Sequence, residues 1–333
     1  MSQEADAIKG KYFRVLDHGF VALVDYMGDD DAVAQAARVS YGAGTKNAST
    51  DRGLLRYMLR HKHTSPFEQV ILKFHVKLPI FVARQLIRHR TASLNEYSMR
   101  YSLPFNQFYV PTEDAMGMQS KKNKQGRAEP VSPQQAMQIQ SRWVELQKQS
   151  VTLYELITAK DVDLARELAR MHLPLSIYTE WYWTIDMHNL MHFLTLRSDG
   201  HAQWEIQQYS NMKASMMRHV APVSYEAWID YAFQSHTFSR MEMKLLRKYM
   251  GSVLLSTENG TPVRVSTVGG DLRKDDAMAL GMTDREWQEF LAVFDRVNSP
   301  NLFEPRLFDL DVSTAVPAEV LQKEALMSAP REL

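Results

Sequence analysis

The sequence contains no cysteine. Thiolate nucleophiles, cysteine-ligated zinc, iron–sulfur clusters and a disulfide framework are thereby excluded. No apolar run approaches the ~18 residues that cross a bilayer, and the start, MSQEADAIKGKYF, has no basic segment followed by an apolar one. A cytoplasmic protein without membrane contact is expected. An excess of one charge is also missing, since 39 Lys plus Arg stand against 39 Asp plus Glu. Without an overall positive field, an anion site has to be assembled from locally gathered Arg and Lys. What is present is a chain of 333 residues, 45% of them hydrophobic. That length buries a core without help from metal or disulfide, and at roughly 150 residues per domain it suits two domains.

Residues 11–27, KYFRVLDHGFVALVDYM, alternate apolar and polar positions around Asp17-His18-Gly19 and predict two strands joined by a tight turn. Asp29 to Asp31 offer N-caps for a helix, DAVAQAARVS, that stops near Tyr41-Gly42. A second helix starts at Thr50 or Asp51 and runs to about His61. In EQVILKFHVK, residues 68–77, Val70, Leu72, Phe74 and Val76 share one face and Gln69, Lys73 and Lys77 the other, the pattern of a half-buried strand. Leu78-Pro79 ends it and opens the helix IFVARQLIRHR. Residues 117–133, rich in polar residues, Gly and Pro, read as an exposed loop. From Ser132 to Ile157 the apolar positions Ile139, Trp143, Leu146, Leu153 and Ile157 step by three, four or seven and predict a long helix with a packing face. A short helix, DLARELARM, precedes SIYTEWYWTID, aromatic and β-branched enough for a buried strand. Two helices, or one interrupted at Gly200, follow. Near the end, TENGTPVRV suggests a hairpin, and Thr283 with Glu286 forms a capping box ahead of REWQEFLAVFDRV. Helices outnumber strands without regular interleaving, so the predicted fold is α+β: a mostly antiparallel sheet flanked by helices, with a long helical segment and a C-terminal extension.

Functional groups are densest in ARQLIRHRTASLNEYSMR, Ala83 to Arg100. On a helix, Arg84 and Arg88 lie four apart and Gln85 and Arg88 three apart, which makes a guanidinium ridge flanked by an amide. Arg88, His89 and Arg90 are placed at the helix end, followed by a polar loop with Ser93, Asn95, Glu96, Ser98 and Arg100. Helix capping accounts for cations at a C-terminus. It does not require four Arg followed directly by a Glu and two Ser. Arg forks hold phosphate in bidentate geometry, and hydroxyls and loop amides complete an anion cradle, so a nucleotide or other phosphate ligand is expected here.

The RHR of Arg88–Arg90, followed after seven residues by Ser98, resembles the signature of flavin-dependent thymidylate synthases, as does the continuation NEYSMRYS. Further family-like segments occur in the same order: ARVSYGAG at Ala37 to Gly44, HTSPFE at His63 to Glu68, ARMHLPL around Arg170, and LRSDGHAQWEIQQY from Leu196. The resemblance covers roughly residues 10–235 and implies a catalytic domain over 1–250, with residues 251–333 an extension of unknown role. It implies reductive methylation of dUMP to dTMP, with methylenetetrahydrofolate as carbon donor, FAD as hydride carrier and NADPH as reductant. The absence of cysteine agrees, because the other route to dTMP attacks uracil with an enzyme thiolate.

Carried over by position, the resemblance makes Arg197 the catalytic residue, a fixed cation over the uracil that stabilises an ionised N3. Gln85, Arg88, Glu96, Tyr97, Ser98, Met99, Arg100 and Arg170 match the dUMP-binding positions. Ser98 is expected to bind rather than attack, since no base stands at a spacing that activates it. Ser40, Ser65, Glu68, Arg88, His89, Arg90, Glu96 and His201 match FAD contacts, and His63 and Tyr101 border the folate and nicotinamide side. Asp186, His188 and His192 depart from the family pattern of Asn, Arg and Asn. Asp186 would repel a phosphate, so it is expected to contact ribose or adenine or to point away, and the charge of His188 depends on pH. The family further implies a homotetramer in which Arg88 to Arg100 of one subunit complete a pocket with Arg170 and Arg197 of another.

Two other readings compete. His188 and His192 at i and i+4, with Asp186 and His201 nearby, could belong to a metal-dependent hydrolase, although Asn189 stands where the zincin pattern needs Glu. The Arg84–Arg100 cluster and the KKNKQGR stretch could contact nucleic-acid phosphates, against which stands the balanced net charge.

Overall fold

The computed structural model describes residues 3–39, 51–121, 126–250, 255–258, 261–264, 273–294, 307–308 and 310–328. The chain divides into two compact units, Met1–Phe233 with Phe303–Leu333, and Gln234–Leu302. The first break thus lies at Phe233 rather than at 250, and the last thirty or so residues return to the first unit instead of extending the second.

The first unit contains α1 (Gln3–Ile8), β1 (Tyr12–Val15), β2 (Gly19–Met27), α2 (Asp30–Val39), α3 (Asp51–Arg60), β3 (Ile71–Pro79), α4 (Ile80–Leu86), β4 (Ser93–Glu96), β5 (Gly117–Gln119), β6 (Arg127–Pro130), α5 (Pro133–Thr158), α6 (Arg166–Ala169), β7 (Tyr178–Asp186), α7 (Met187–Arg197), α8 (Trp204–Val220) and α9 (Pro222–Trp228). The second unit contains α10 (Arg240–Met250), β8 (Leu255–Glu258), β9 (Thr261–Arg264), α11 (Lys274–Ala279) and α12 (Asp284–Phe294), and the chain ends with α13 (Ala318–Ser328) back in the first unit. Among the described residues no helix is long and apolar enough to cross a membrane.

Five strands form one sheet in the order β1-β2-β3-β7-β4, every neighbouring pair antiparallel. Strand alternation decides its inner face: Val21 and Leu23, then Leu72, Phe74 and Val76, then Trp181, Trp183 and Ile185 are all buried. Helix α8 packs in the same core through Ile206, Tyr209, Met212 and Met216. The hairpin turn between β1 and β2 requires Gly19, because a Cβ there would fall on the Tyr209 hydroxyl, which donates to the Lys77 carbonyl at 2.9 Å.

The α+β expectation holds, as do the long helix, opened by the Ser132/Gln135 capping box, the two helices broken near Gly200, and the Thr283/Glu286 box ahead of α12. β8 and β9 pair as TENGTPVRV suggests. The end of the first helix near Tyr41-Gly42 lies outside the described residues.

Other expectations need correction. Helix α4 stops at Leu86 with Ile87 as its cap, so Arg88, His89 and Arg90 occupy the turn beyond it, closed by His89 N–H donating to the Leu86 carbonyl at 3.0 Å. The supposed polar loop after them is in part an edge strand, Ser93–Glu96 pairing with β7, and an exposed edge needs no apolar alternation to betray it. Within 117–133, β5 and β6 pair as a short hairpin. The helix at 163–171 is one α-turn, Arg166–Ala169, continued by a 3₁₀ turn, Arg170–His172. The packing stripe of α5 is not covered by the described residues: Trp143, Leu146 and Leu153 are 41%, 58% and 44% exposed.

Candidate active site

Helix α4 leaves β3 through Pro79, whose extended backbone precedes the helix without spending an amide donor. Beyond the end of this helix, His89 lies against the middle of α7. The His89 ring stands 5.7 Å from His192, 5.6 Å from Phe193 and 6.2 Å from Trp183, centre to centre. Its Nε2, the Oε1 of Gln85 and the Nε of Arg197 are buried without a hydrogen-bond partner. Such groups cost free energy when left unmade, and three of them on adjoining elements mark a place prepared for polar atoms of a ligand.

Electrostatics point the same way. Burial pushes the Arg197 guanidinium below its ordinary range, and the neighbouring Arg88 guanidinium pushes it further. Burial, then His192, then Arg197 hold His89 below the usual imidazole value, against a smaller opposing pull from Asp186. Neither Arg88 nor Arg197 joins an ion pair among the described residues. Two guanidiniums held together without an internal carboxylate form an anion site. Arg88 and Arg197 meet within one chain, so this pairing does not wait for a second subunit.

A second group surrounds the loop after β4. Glu96 accepts from the Thr179 hydroxyl at 2.8 Å, and Tyr97 N–H donates to the Glu180 carbonyl at 2.8 Å. The Tyr97 hydroxyl donates to the Leu103 carbonyl at 2.6 Å. Arg100 N–H donates to the Ser98 hydroxyl at 3.3 Å, and the Ser98 carbonyl accepts from Tyr101 and Ser102, which closes the turn. Met99 packs with Tyr154, Ala169 and Ile177, which brings the loop to the segment carrying Arg170. Arg100 pairs with Glu167 at 3.0 Å. His63 and Tyr101 are exposed.

Asp186 is the N-cap of α7: its Oδ1 accepts from Asn189 N–H at 2.9 Å and its Oδ2 from the Asn189 amide at 2.7 Å. The side chain that departs from the family pattern thus holds the helix start, the work expected of a capping Asp. Met187 N–H donates to the Val70 carbonyl at 2.8 Å, which ties the start of β3 to the start of α7; Ser65 and Glu68, just before it, are exposed around the buried Phe67. His188 is half-buried and His192 exposed. His201 is exposed, its Nδ1 2.9 Å from Asp199. Ser40 lies outside the described residues. Among the described residues no three His, Asp or Glu side chains converge as a metal ligand set. Of the KKNKQGR stretch, Arg127 turns inward to the buried Glu205 and the Ala115 carbonyl, which takes it away from any external phosphate.

Sequence reasoning missed Lys213. This residue of α8 is completely buried, its amine 5.5 Å from the Trp183 ring and 5.7 Å from those of Phe193 and Tyr209, and burial pushes it down to about 7. Nothing in the local sequence distinguishes it from a solvated helix lysine.

Carboxylate-free guanidiniums, unpartnered amide and imidazole atoms and adjacent aromatic rings on an α+β scaffold define a site for an anion carried on a planar ring, the class of a nucleotide-using enzyme. The profile of the thymidylate synthase complementing protein family matches residues 22–223. Flavin-dependent thymidylate synthases from Gluconobacter oxydans and Treponema pallidum are 46% and 48% identical, over 85% and 77% of this chain and 87% and 84% of theirs. A UMP/dUMP methylase, PolB from Streptomyces cacaoi, solved with 5-Br dUMP, superposes with a TM-score of 0.60 at 33% identity, covering 66% of this chain and 98% of its own. The chain belongs to the flavin-dependent thymidylate synthase family.

Proposed function

We propose that the enzyme reductively methylates dUMP to dTMP, taking the carbon from methylenetetrahydrofolate, the hydride through FAD and the reducing equivalents from NADPH, in the cytoplasm. The observation that carries this reading is the electrostatic proximity of Arg88 and Arg197, neither in an ion pair among the described residues, together with the unpartnered Gln85 Oε1, His89 Nε2 and Arg197 Nε.

In this reading Gln85, Arg88, the segment Glu96–Arg100 and Arg170 hold the nucleotide. Arg197 is the catalytic residue: its permanent charge favours the N3-ionised uracil and raises electron density at the carbon to be alkylated. Ser98 binds, because its hydroxyl faces an amide donor rather than a base. Arg100 exchanges Glu167 for the phosphate. The unpartnered His89 Nε2 fits a flavin's polar edge, with Ser40, Ser65, Glu68, Arg88, Arg90, Glu96 and His201 as further contacts. His188 and His192 face the same cofactor from α7, and Asp186 sets their helix. When bound, FAD supplies the hydride.

We further assign a homotetramer in which a second subunit adds to each site, whose Arg88 and Arg197 come from one chain. The exposed apolar stripe of α5 supports self-association, because an amphipathic helix leaves such a face bare only where another surface covers it.

The test is a visible absorption spectrum of the purified protein supplied with FAD, followed by anaerobic addition of NADPH, dUMP and methylenetetrahydrofolate. A bound flavin that bleaches, with dTMP formed, is expected. A protein that takes up no flavin, or forms no dTMP, refutes the reading.

A further inference from the structure

The outer face of the sheet, turned away from the core, carries a cavity that shares Tyr97 with the residues assigned to the nucleotide above. Register puts Lys77 of β3 opposite both Phe20 of β2 and Glu180 of β7, with His75 opposite Tyr182 on the same face. Alternation alone leaves this face to solvent, yet Lys77 is only 3% exposed. The loop Tyr97–Phe105 closes it on one side and α13 on the other. Helix α13 is fastened by Val316 N–H donating to the Tyr12 carbonyl at 2.8 Å and by the Arg14–Glu324 pair at 2.5 Å. Between them lies a cavity of about 560 Å³, within the ~300–1,000 Å³ of small-molecule sites. Helix α13 lies beyond residues 22–223, so the lid of this cavity falls outside the span matched by the family.

Its walls are aromatic and its polar groups are few and specific. Tyr12, Phe20, Tyr97 and Phe105 line it, with Tyr12 edge-on to Phe20 at 5.0 Å and Tyr97 against Phe105 at 4.5 Å. Lys77 spans Phe105, 4.7 Å from its centre, and donates to Gln107. It makes no ion pair with Glu180 although the two are cross-strand partners. The Glu180 carboxylate has His75 Nε2 at 3.8 Å, too far for a hydrogen bond, and His75 Nδ1 is buried without any partner. The cavity therefore presents an under-used carboxylate, an ammonium and aromatic stacking surfaces together.

We propose that this cavity binds a planar amino-lactam heterocycle, the edge shared by guanine and pterins. A carboxylate accepts two adjacent N–H groups, from the ring nitrogen and the exocyclic amine, while the lactam oxygen accepts from Lys77 or His75. A uracil-type imide offers a single N–H between two carbonyl oxygens, which a carboxylate repels. The ring itself stacks among the aromatic walls.

The experiment titrates the full-length protein, saturated with FAD and dUMP, with guanosine, with 6-hydroxymethylpterin and with uridine, by calorimetry. At least one of the first two saturates one site per chain, and uridine does not displace it. Guanosine alone identifies a nucleoside ligand and the pterin alone a pterin. Glu180→Gln weakens binding at least tenfold, Leu321→Trp, which fills the space under α13, abolishes it, and the bound probe slows carbethoxylation of His75 as read by mass spectrometry. Circular dichroism melts verify folding, and the isosteric Glu180→Gln keeps the test decisive if the larger substitution unfolds. Failure of both probes to bind at millimolar concentration overturns the proposal. So does binding that Glu180→Gln leaves unchanged with His75 unprotected. Because the readouts are binding and His75 protection, failure here is separate from failure of thymidylate synthesis.

Discussion

The arginines of this protein fall into two groups. Arg127 reaches the buried Glu205, Arg52 reaches Glu226 and Arg14 reaches Glu324, each an ordinary pair with a carboxylate. Arg88 and Arg197 face one another with none. Paired arginines meet their counter-charge within the fold, whereas Arg197, its protonation lowered by burial and then by Arg88, gains one only when an external anion arrives. Arg100, paired with Glu167 yet assigned to the phosphate, stands between the two groups.

The largest expected effect tests the unpaired group. Arg197→Lys keeps the charge but loses the planar fork, and kcat/KM for dTMP formation is expected to fall by about 10²–10³, or roughly 3–4 kcal/mol, with the melting temperature little changed. Steady-state kinetics and a thermal melt on the same preparation check both halves.

The paired group is expected to behave the opposite way. Arg127→Ala strands the carboxylate of Glu205, whose side chain is 2% exposed. A loss of about 2–3 kcal/mol is expected in urea unfolding, below the full figure for a buried pair because Arg127 itself is partly solvated. Arg52→Ala, whose pair is exposed on both sides, should leave the unfolding midpoint unmoved.

Lys213 sharpens the comparison, being a cation with neither carboxylate nor solvent. Its folded value of about 7 lies below the ordinary 10.5, so between those values the unfolded chain binds the extra proton. Stability should therefore rise with pH across that window, and the penalty is fully present below it. Lys213→Met is expected to raise stability at pH 6 by about 1–2 kcal/mol, with the advantage shrinking toward pH 10. Thermal melts across that range measure it. A variant less stable at every pH would mean that the aromatic contacts of the amine outweigh its desolvation.

What could be read from the sequence follows the same physics. β3 was legible because Val70, Leu72, Phe74 and Val76 alternate onto a core, and α5 because its apolar residues keep helical period. β4 was not, since an edge strand of Ser, Leu, Asn and Glu buries almost nothing. The α5 stripe was legible as apolar but not as uncovered, because periodicity does not say which chain provides the partner surface. Lys77 was assigned to a solvated face that α13, about 240 residues later, closes over. At the site, the Arg88 cluster stood out locally. Its meeting with Arg197, more than one hundred residues away, came only from the resemblance, and the capping role of Asp186 only from its geometry.

The most direct measurement is an equilibrium titration of dUMP into the FAD-loaded protein, comparing wild type, Arg88→Ala and Arg52→Ala at two salt concentrations. Loss of a charge-assisted contact is expected to weaken binding by about 10–100-fold in Arg88→Ala and to flatten its salt dependence, with Arg52→Ala indistinguishable from wild type. Equal affinity in all three proteins would contradict the assignment of the carboxylate-free arginines to the nucleotide.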